Sequence, residues 1–159
     1  MTRFEEILKK LVAAKVEFVV IGGIAAVVHG SSYQTSDLDI AYRRTKENIK
    51  RFAPLLKGIH ARPRNLPAGI SAVVDEKSLS FGTNFTLETD LGNLDLLAEV
   101  SGLGTYEKVS ERAEPLDLYG LKIRVLSLDG LILAKQAAGR PKDLLHLKEL
   151  RALGEMKRK

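Results

Sequence analysis

Residues 21–40 read IGGIAAVVHGSSYQTSDLDI, in which the glycine pair Gly22-Gly23 precedes Asp37 and Asp39. An apolar, β-branched run at residues 16–21 comes directly before the glycines and predicts a short buried strand. A second apolar run, residues 23–29, predicts a helix that ends at Gly30. Because the first N–H groups of a helix have no intrahelical partner, the glycine turn at its start can face an anion such as phosphate.

Asp37 and Asp39 begin a second predicted strand, residues 37–42. Side chains two residues apart on a strand project from the same face, so both carboxylates point to one place, about 6–7 Å apart along the chain. A triphosphate bridged to both aspartates by a divalent metal ion would use the glycine turn and the acid pair together. Taken alone, Asp37 and Asp39 are most simply interpreted as solvated acids at the end of a strand. The preceding glycine pair favours the interpretation as a metal and phosphate site.

Composition sets broad limits on the class of protein. The chain has 159 residues, enough for one domain, and we expect a core at about 16–126 and a C-terminal helical segment at about 127–153. Cysteine is absent, which excludes disulfides, thiolate metal sites and a cysteine nucleophile. No apolar run approaches the roughly 20 residues that span a bilayer, and no signal-peptide core is present, so a cytoplasmic location without membrane contact is the expectation.

The net charge of +5 is concentrated in one stretch of the sequence, residues 43–64. Only one acid, Glu47, lies within it. Its basic members are Arg43, Arg44, Lys46, Lys50, Arg51, Lys57, Arg62 and Arg64. This basic block next to the carboxylates predicts attraction of a polyanion such as RNA, with an ordinary solvated helix face as the alternative.

The remaining pattern indicates an α+β chain with helices at both ends. Helices are predicted at residues 3–14, from a Thr45 cap to about 57, as one turn at 75–81, at 106–110, and from a Ser127 or Asp129 cap to about 138. Strands are predicted at 84–88, 93–97, 112–118 and 121–126, and a loop at 62–69. A final helix beginning near Pro141 carries a stripe of Leu144, Leu147, Leu150 and Leu153.

A third carboxylate should come from a strand beside the Asp37–Asp39 strand, because nucleotidyl transfer uses two metal ions held by three acids. Asp95 lies between Leu94 and Leu96, which predicts that the leucines face the core and the carboxylate faces away. The other acids considered are Glu88, Asp90 and Asp117. Asp90 belongs to a predicted turn, and Glu88 and Asp117 lack an apolar run comparable to the one around Asp95. Asp95 is preferred.

On these residues the chain resembles the nucleotidyltransferase superfamily related to DNA polymerase beta, over about residues 18–150. The run from residue 131 to 144, LILAKQAAGRPKDL, is similar to the lysine and basic-aspartate motifs of AbiEii-like nucleotidyltransferases, some of which are toxins of toxin–antitoxin systems. The resemblance implies a mixed β-sheet flanked by helices, with C-terminal helices. Two positions depart from the family: Gly23 replaces a serine common in relatives, and Tyr33 replaces a frequent basic residue.

The resemblance also implies roles for individual residues. Gly22 and Gly23 would line the phosphate site. Asp37 and Asp39 would hold two Mg²⁺ (or Mn²⁺) ions, and Asp95 would complete one metal site and accept the proton of the attacking hydroxyl. Lys135 would reach the triphosphate and Asp143 would hold Lys135 or a nearby base in place, although each also suits an ordinary exposed position. Ser36 can donate to phosphate, as can the neighbouring turn residues.

The sequence therefore predicts a metal-dependent, ATP-binding or related nucleotidyltransferase. It would move a nucleoside monophosphate from a nucleoside triphosphate to a hydroxyl of RNA, protein or a small molecule. The family resemblance adds the expectation of a toxin–antitoxin component with a cognate antitoxin. The alternative is a non-catalytic nucleotide-binding or antitoxin-like partner of the same fold. A P-loop is excluded, because Ile24 and Ala25 follow the glycines where lysine and a hydroxyl residue would be needed.

Overall fold

The computed structural model describes residues 2–70, 72, 74–82 and 84–158. Within these residues seven helices alternate irregularly with nine strands. In chain order they are α1 (Phe4–Ala13), β1 (Phe18–Ile21), α2 (Gly22–Val28), β2 (Asp37–Tyr42), α3 (Lys46–Gly58), β3 (Arg62–Pro63), α4 (Glu76–Ser80), β4 (Phe85–Thr89), β5 (Gly92–Leu97), β6 (Glu99–Val100), β7 (Gly104–Thr105), α5 (Tyr106–Glu111), β8 (Ala113–Leu118), β9 (Leu121–Leu126), α6 (Leu128–Ala138) and α7 (Pro141–Arg158).

Seven of the strands form one mixed sheet in the order β3-β4-β5-β2-β1-β9-β8. At its centre β2 runs antiparallel to β1 and parallel to β5, and β1 runs parallel to β9. Hairpins β4–β5 and β8–β9 complete the two sides. The predicted α+β class with a mixed sheet and C-terminal helices is confirmed.

The central strands alternate side chains between the core and the opposite face, which is why the acids emerge together. Leu38 and Ile40 on β2 are fully buried, as are Leu94 and Leu96 on β5. Since neighbouring positions on a strand point to opposite faces, Asp39 and its partners project from the other side of the sheet. Burying each of these leucine or isoleucine side chains contributes about 1.5–3 kcal/mol, so slipping the register of either strand by one residue would be costly.

Helices cover the sheet through apolar faces with the expected spacing. α1 buries Ile7, Leu8 and Leu11, and α3 buries Phe52 and Leu56 among others. The predicted caps form: Thr45 accepts a hydrogen bond from Asn48 N at the start of α3, and Ser127, one of two candidates, accepts from Gly130 N at the start of α6. No helix in the described part of the chain is both long and apolar enough to cross a membrane.

Two features of the secondary structure differ from the expectation. The segment predicted as a loop at 62–69 starts with the short edge strand β3, because Arg62 and Pro63 pair with Glu88 and Leu87 of β4. Proline is tolerated there because an edge position does not need its missing N–H. The two-stranded unit of β6 and β7 was not expected. It consists of only two residues per strand, too few to give a periodic signal.

The leucine stripe predicted on α7 is wrong at its first member. Leu147 and Leu150 are buried, but Leu144 is 53% exposed. The inward positions of the first two turns belong to Asp143, which is fully buried, and His146. Ion pairs that Asp143 makes with basic residues compensate for its burial, so a polar face replaces part of the expected apolar one.

Asn48 joins α3 to the ends of the two central strands. Its side chain accepts a hydrogen bond from Glu17 N at 2.6 Å and donates to Glu17 O at 3.0 Å and Arg43 O at 2.7 Å. Glu17 lies just before β1 and Arg43 just after β2, and Asn48 itself is 1% exposed. One buried amide therefore satisfies three backbone groups that leave the sheet.

We expect Asn48→Ala to lower the free energy of unfolding by about 2–3 kcal/mol, because Glu17 N and Arg43 O lose a hydrogen-bond partner and Glu17 O keeps only the bond from Arg43 N. The midpoint of thermal unfolding should fall by roughly 5–10 °C. Lys50→Ala, on the exposed side of the same helix, is the matched control and should change little. Equal unfolding curves for Asn48→Ala and wild type would contradict this role.

Candidate active site

Gly22 brings the start of α2 against the carboxylate of Asp39. Its φ of +66° lies in the left-handed region, and a Cβ built on it would stand 3.0 Å from Asp39 Cβ and Cγ. Side chains are therefore excluded here both by backbone conformation and by space. The backbone of the predicted phosphate turn thus lies directly beside the acid pair.

At the neighbouring position, Gly23, Thr35 fills the space of a side chain. A Cβ on Gly23 would lie 2.8 Å from Thr35 Cβ and 2.9 Å from Thr35 Oγ1. The departure from the family's serine is thus matched by a hydroxyl that enters the same place from the loop before β2. Thr35 lines the cavity described below, and Ser36 is absent from that lining among the described residues. The Ser36 hydroxyl instead donates to Asp37 Oδ1 at 3.3 Å.

The parallel pairing of β2 and β5 places the three predicted acids on one side of the sheet. Asp39 is directly opposite Asp95 in register, and Asp37 is opposite Asn93. Asn93 Nδ2 donates to Asp37 Oδ1 at 3.0 Å. The sequence interpretation missed Asn93, although its position two residues before Asp95 puts both on one face of β5.

The other acids considered for this place lie elsewhere. Glu88 is paired with Arg62 at 3.0 Å, and Asp90 lies in the turn after β4, where its Oδ2 meets His60 Nδ1 at 2.5 Å. Asp117 is exposed on the outer hairpin near Lys122. Of these four acids, only Asp95 lies on the strand next to β2 and directly opposite Asp39 in register.

Arg64 is a further member of the site that the sequence did not single out. Its Nη1 lies 3.3 Å from Asp37 Oδ1, and its Nη2 forms a closer ion pair with Asp95 Oδ1. The side chain is 18% exposed. It belongs to the basic block, and nothing in that run distinguishes it from its solvent-exposed neighbours.

Burial and mutual repulsion shift the protonation of the acids. Burial, as the largest cause, raises the pKa of Asp39 to about 7, with the Asp95 and Asp37 carboxylates adding to it and Lys135 opposing it. Burial also raises the pKa of Asp95, against the effect of the Arg64 guanidinium. Added positive charge would therefore favour the ionised forms of Asp39 and Asp95.

Lys135, on α6, and Arg140, in the turn between α6 and α7, face the acids and share one carboxylate. Lys135 Nζ lies 3.0 Å from Asp143 Oδ1, and Arg140 Nε lies 2.7 Å from Asp143 Oδ2. Hydrogen bonding from Arg140, followed by Lys135, holds the pKa of the Asp143 carboxyl well below its usual range. Asp143 is fully buried, and so acts as a fixed anion that positions two cations.

The loop before β2 is tied to α7 by Glu149. Its Oε2 accepts from Ser32 N at 3.1 Å and Ser32 Oγ at 2.6 Å, and its Oε1 accepts from the Ser31 hydroxyl. These hydrogen bonds, Ser31 first, lower the pKa of Glu149 to about 2. Next to them the rings of Tyr33 and His146 stack with centroids 4.6 Å apart.

These groups enclose a polar cavity of about 250 Å³. It is lined by Gly22, Gly23, Tyr33, Thr35, Asp37, Asp39, Asp95, Lys135, Arg140, Lys142, Asp143 and His146. A second cavity of about 200 Å³ is lined mainly by apolar groups such as Leu97, Leu131 and Ala134. It shares with the first cavity the residues Gly22, Asp39, Lys135, Arg140 and Asp143. Of the predicted site residues, all but Ser36 line the polar cavity.

The donor set suits a hard divalent cation. Carboxylate oxygens are the preferred protein ligands of Mg²⁺ and Mn²⁺. Asp39 Oδ1 is buried and has no hydrogen-bond partner among the described residues, an arrangement that a cation would relieve. Among the described residues, no group of three or more acidic or histidine side chains is arranged closely enough to hold a metal ion. Two of the three acids are instead paired with Arg64.

The basic block does not form one surface. Arg43 pairs with Glu17 at 2.7 Å, Arg62 pairs with Glu88, and Arg64 enters the acid site. Arg44, Lys46 and Lys50 line a groove between α3 and α4. Part of the positive charge is thus balanced within the fold.

Comparison with known proteins defines the class. A family model described as "Nucleotidyltransferase of unknown function (DUF6036)" matches residues 2–156, so the chain belongs to this family of nucleotidyltransferases. The resemblance to the superfamily is confirmed, whereas the closer similarity to AbiEii-like proteins stays a prediction. No protein of curated function matches the chain.

Solved structures share the fold at low sequence identity. A candidate nucleotidyltransferase of Thermotoga maritima (TM1012) is 18% identical, with 94% of each chain covered and a TM-score of 0.60. The lincosamide antibiotic adenylyltransferase LnuA, solved with lincomycin, is 15% identical, with 94% of this chain and 95% of that chain covered and a TM-score of 0.61. ANT(2")-Ia, solved with adenylyl-2"-tobramycin, is 13% identical, with 97% and 89% covered and a TM-score of 0.58.

We expect Gly22→Ala to destabilise the protein by about 1–3 kcal/mol, because a Cβ must adopt a left-handed conformation and displace Asp39. Urea unfolding measures the effect. Gly58→Ala is the matched control: no atom lies within 4 Å of a Cβ built there, at the end of α3, and the variant should be neutral or slightly stabilised. Similar unfolding free energies for the two variants would contradict the close approach.

The raised pKa of Asp39 predicts a pH dependence of stability in the chelator-treated protein. Between the ordinary value of 3.8 and about 7 the native state binds more protons at Asp39 than the unfolded chain does. The resulting stabilisation is complete below that range and is lost as the pH rises through 7. The unfolding free energy of wild type should therefore fall more steeply from pH 4 to 7 than that of Asp39→Asn, and parallel curves would refute the shift.

Proposed function

We propose that the protein is a metal-dependent nucleotidyltransferase that uses Asp37, Asp39 and Asp95 to hold two divalent cations, Mg²⁺ or Mn²⁺. The observation that carries the proposal is the register of β2 and β5, which gathers three acids from two distant segments beside a backbone turn open only to glycine. The unpaired, buried oxygen of Asp39 supports a cation in this place. Divalent ions there would neutralise the triphosphate and favour ionisation of the acceptor hydroxyl.

Residues on two sides of the site would bind different parts of the nucleoside triphosphate. The backbone at Gly22 and Gly23, at the start of α2, can meet phosphate oxygens, with the Thr35 hydroxyl beside them and Ser36 supporting Asp37. Lys135 and Arg140, both positioned by Asp143, carry the positive charge that a polyphosphate requires. The adjoining apolar cavity can accept the flat ring of a nucleobase.

In the reaction, the acceptor hydroxyl oxygen attacks the α-phosphorus of the nucleoside triphosphate, and the bond from that phosphorus to the bridging oxygen breaks. The hydroxyl proton passes to the Asp95 carboxylate, whose pKa burial raises. Pyrophosphate leaves with its negative charge facing Lys135 and Arg140. The product is the acceptor carrying a nucleoside monophosphate.

The acceptor is open between three classes. A small-molecule acceptor is favoured by two proteins that share the fold: the lincosamide antibiotic adenylyltransferase LnuA, solved with lincomycin, and ANT(2")-Ia, solved with adenylyl-2"-tobramycin. The groove between α3 and α4, where Arg44, Lys46 and Lys50 meet Lys77 and one acid, Glu76, is the surface that would favour RNA. A protein acceptor, and a toxin–antitoxin role with an antitoxin partner, stay predictions from the family resemblance.

Incubation of the purified protein with each α-labelled nucleoside triphosphate, Mg²⁺ and an acceptor panel tests the proposal. The panel should hold bulk RNA, cell lysate protein and hydroxyl-bearing antibiotics. We expect label transfer with release of pyrophosphate, and a loss of roughly a hundredfold or more in Asp39→Asn, because charge stabilisation at the reacting phosphate is lost.

Asp117→Asn is the matched control, since this exposed acid on the outer hairpin lies away from the site. Nucleotide binding without transfer to any acceptor would support the alternative, a non-catalytic nucleotide-binding protein. Equal label transfer by wild type and Asp39→Asn would contradict the assignment of the acids.

A further inference from the structure

Arg64 is held in place by the sheet, although it lies outside any strand. Directly after β3, its N–H donates to Thr86 O at 2.9 Å and so continues the pairing of the edge with β4. From this anchored position the side chain reaches across β4 to Asp95 on β5 and Asp37 on β2. The side chains of Arg64 and Asp95 are each only 18% exposed, so their ion pair is a largely buried part of the site.

The guanidinium takes up the same atoms that a divalent cation would use. It contacts Oδ1 of Asp37 and Oδ1 of Asp95, and leaves Asp39 Oδ1 without a partner. Because a guanidinium stays charged and presents two N–H donors in one plane, it can join two carboxylates from neighbouring strands. Arg64 thus engages two of the three acids, and the third, Asp39, keeps one buried oxygen without a partner among the described residues.

Arg64 also offsets the repulsion that the acids would otherwise have. Lys135 is the cation that acts on Asp39, but it is paired with the buried Asp143. Without Arg64, Asp37 and Asp95 would face each other and Asp39 with no counter-charge in direct contact. Asn93, the other group on Asp37, is neutral.

We propose that Arg64 is the resident counter-cation of the acid site: it holds Asp37 and Asp95 in position in the metal-free protein, and it competes with divalent cations for them. Arg64 is a positioning residue here, and it sets the concentration of cation that the site needs. The proposal rests on the proposed function in one respect, namely that the acids bind divalent cations.

Binding of Mn²⁺ alone to the full-length, chelator-treated protein tests this role. The free ion is followed by its electron paramagnetic resonance signal, without nucleotide or turnover. We expect Arg64→Gln to bind Mn²⁺ at least about tenfold more tightly than wild type, because a competing charge is removed. Without metal, the same variant should melt at a lower temperature, so that Mn²⁺ raises its melting temperature by more than that of wild type.

Two further variants keep the test decisive. Arg62→Gln removes an exposed arginine two residues earlier that pairs with Glu88, and should bind Mn²⁺ as wild type does. Arg64→Lys keeps the charge but loses the planar fork, and should fall between wild type and Arg64→Gln; it also serves if Arg64→Gln does not fold.

Equal or weaker Mn²⁺ binding by both Arg64 variants, with binding by wild type intact, would overturn the competing role of Arg64 and leave the proposed function standing. Absence of binding in wild type and in every variant would overturn the cation assignment itself, and this inference with it. Binding by Arg64→Gln in the absence of measurable binding by wild type would be the strongest support.

Discussion

The parallel pairing of β2 with β5 is the constraint on which the rest of the site depends. It sets Asp39 opposite Asp95, although these residues are far apart in the sequence. The register is fixed from the opposite face, where Leu38, Ile40, Leu94 and Leu96 are fully buried. A shift by one residue would turn the leucines to the solvent and the acids into the core, so the packing of the core specifies the geometry of the chemistry.

The second constraint is electrostatic: the fold brings three carboxylates together and places basic side chains on two sides of them. On one side Asp143, fully buried, holds Lys135 and Arg140 toward the cavity. On the other side Arg64 occupies two of the three acids. Under the proposed function the first pair of cations would meet an anionic substrate, whereas Arg64 pairs with Asp37 and Asp95 before anything is bound. A site with both arrangements can be stable when empty and still receive a triphosphate.

The sequence predicted those parts of the structure that depend on local pattern. The glycine turn, the acid pair and the placement of Asp95 between two core leucines follow from strand periodicity, and the helix caps at Thr45 and Ser127 follow from side-chain chemistry. The sequence-based predictions were wrong where a contact with a distant part of the chain determines the local structure. Leu144 is exposed because the buried Asp143 takes the inward turn of α7, and Arg62 and Pro63 form an edge strand only because β4 lies beside them. Arg64 gave no signal at all, since its role comes from the path of its side chain across β4.

The most direct measurement of the central claim is the anomalous diffraction of Mn²⁺ in crystals soaked with Mn²⁺ and a non-hydrolysable nucleoside triphosphate. The account predicts anomalous peaks in direct coordination distance of Asp37, Asp39 and Asp95, with the phosphates against Gly22 and Gly23. Peaks remote from these acids, or a nucleotide bound with Asp95 turned away from its metal ions, would contradict it.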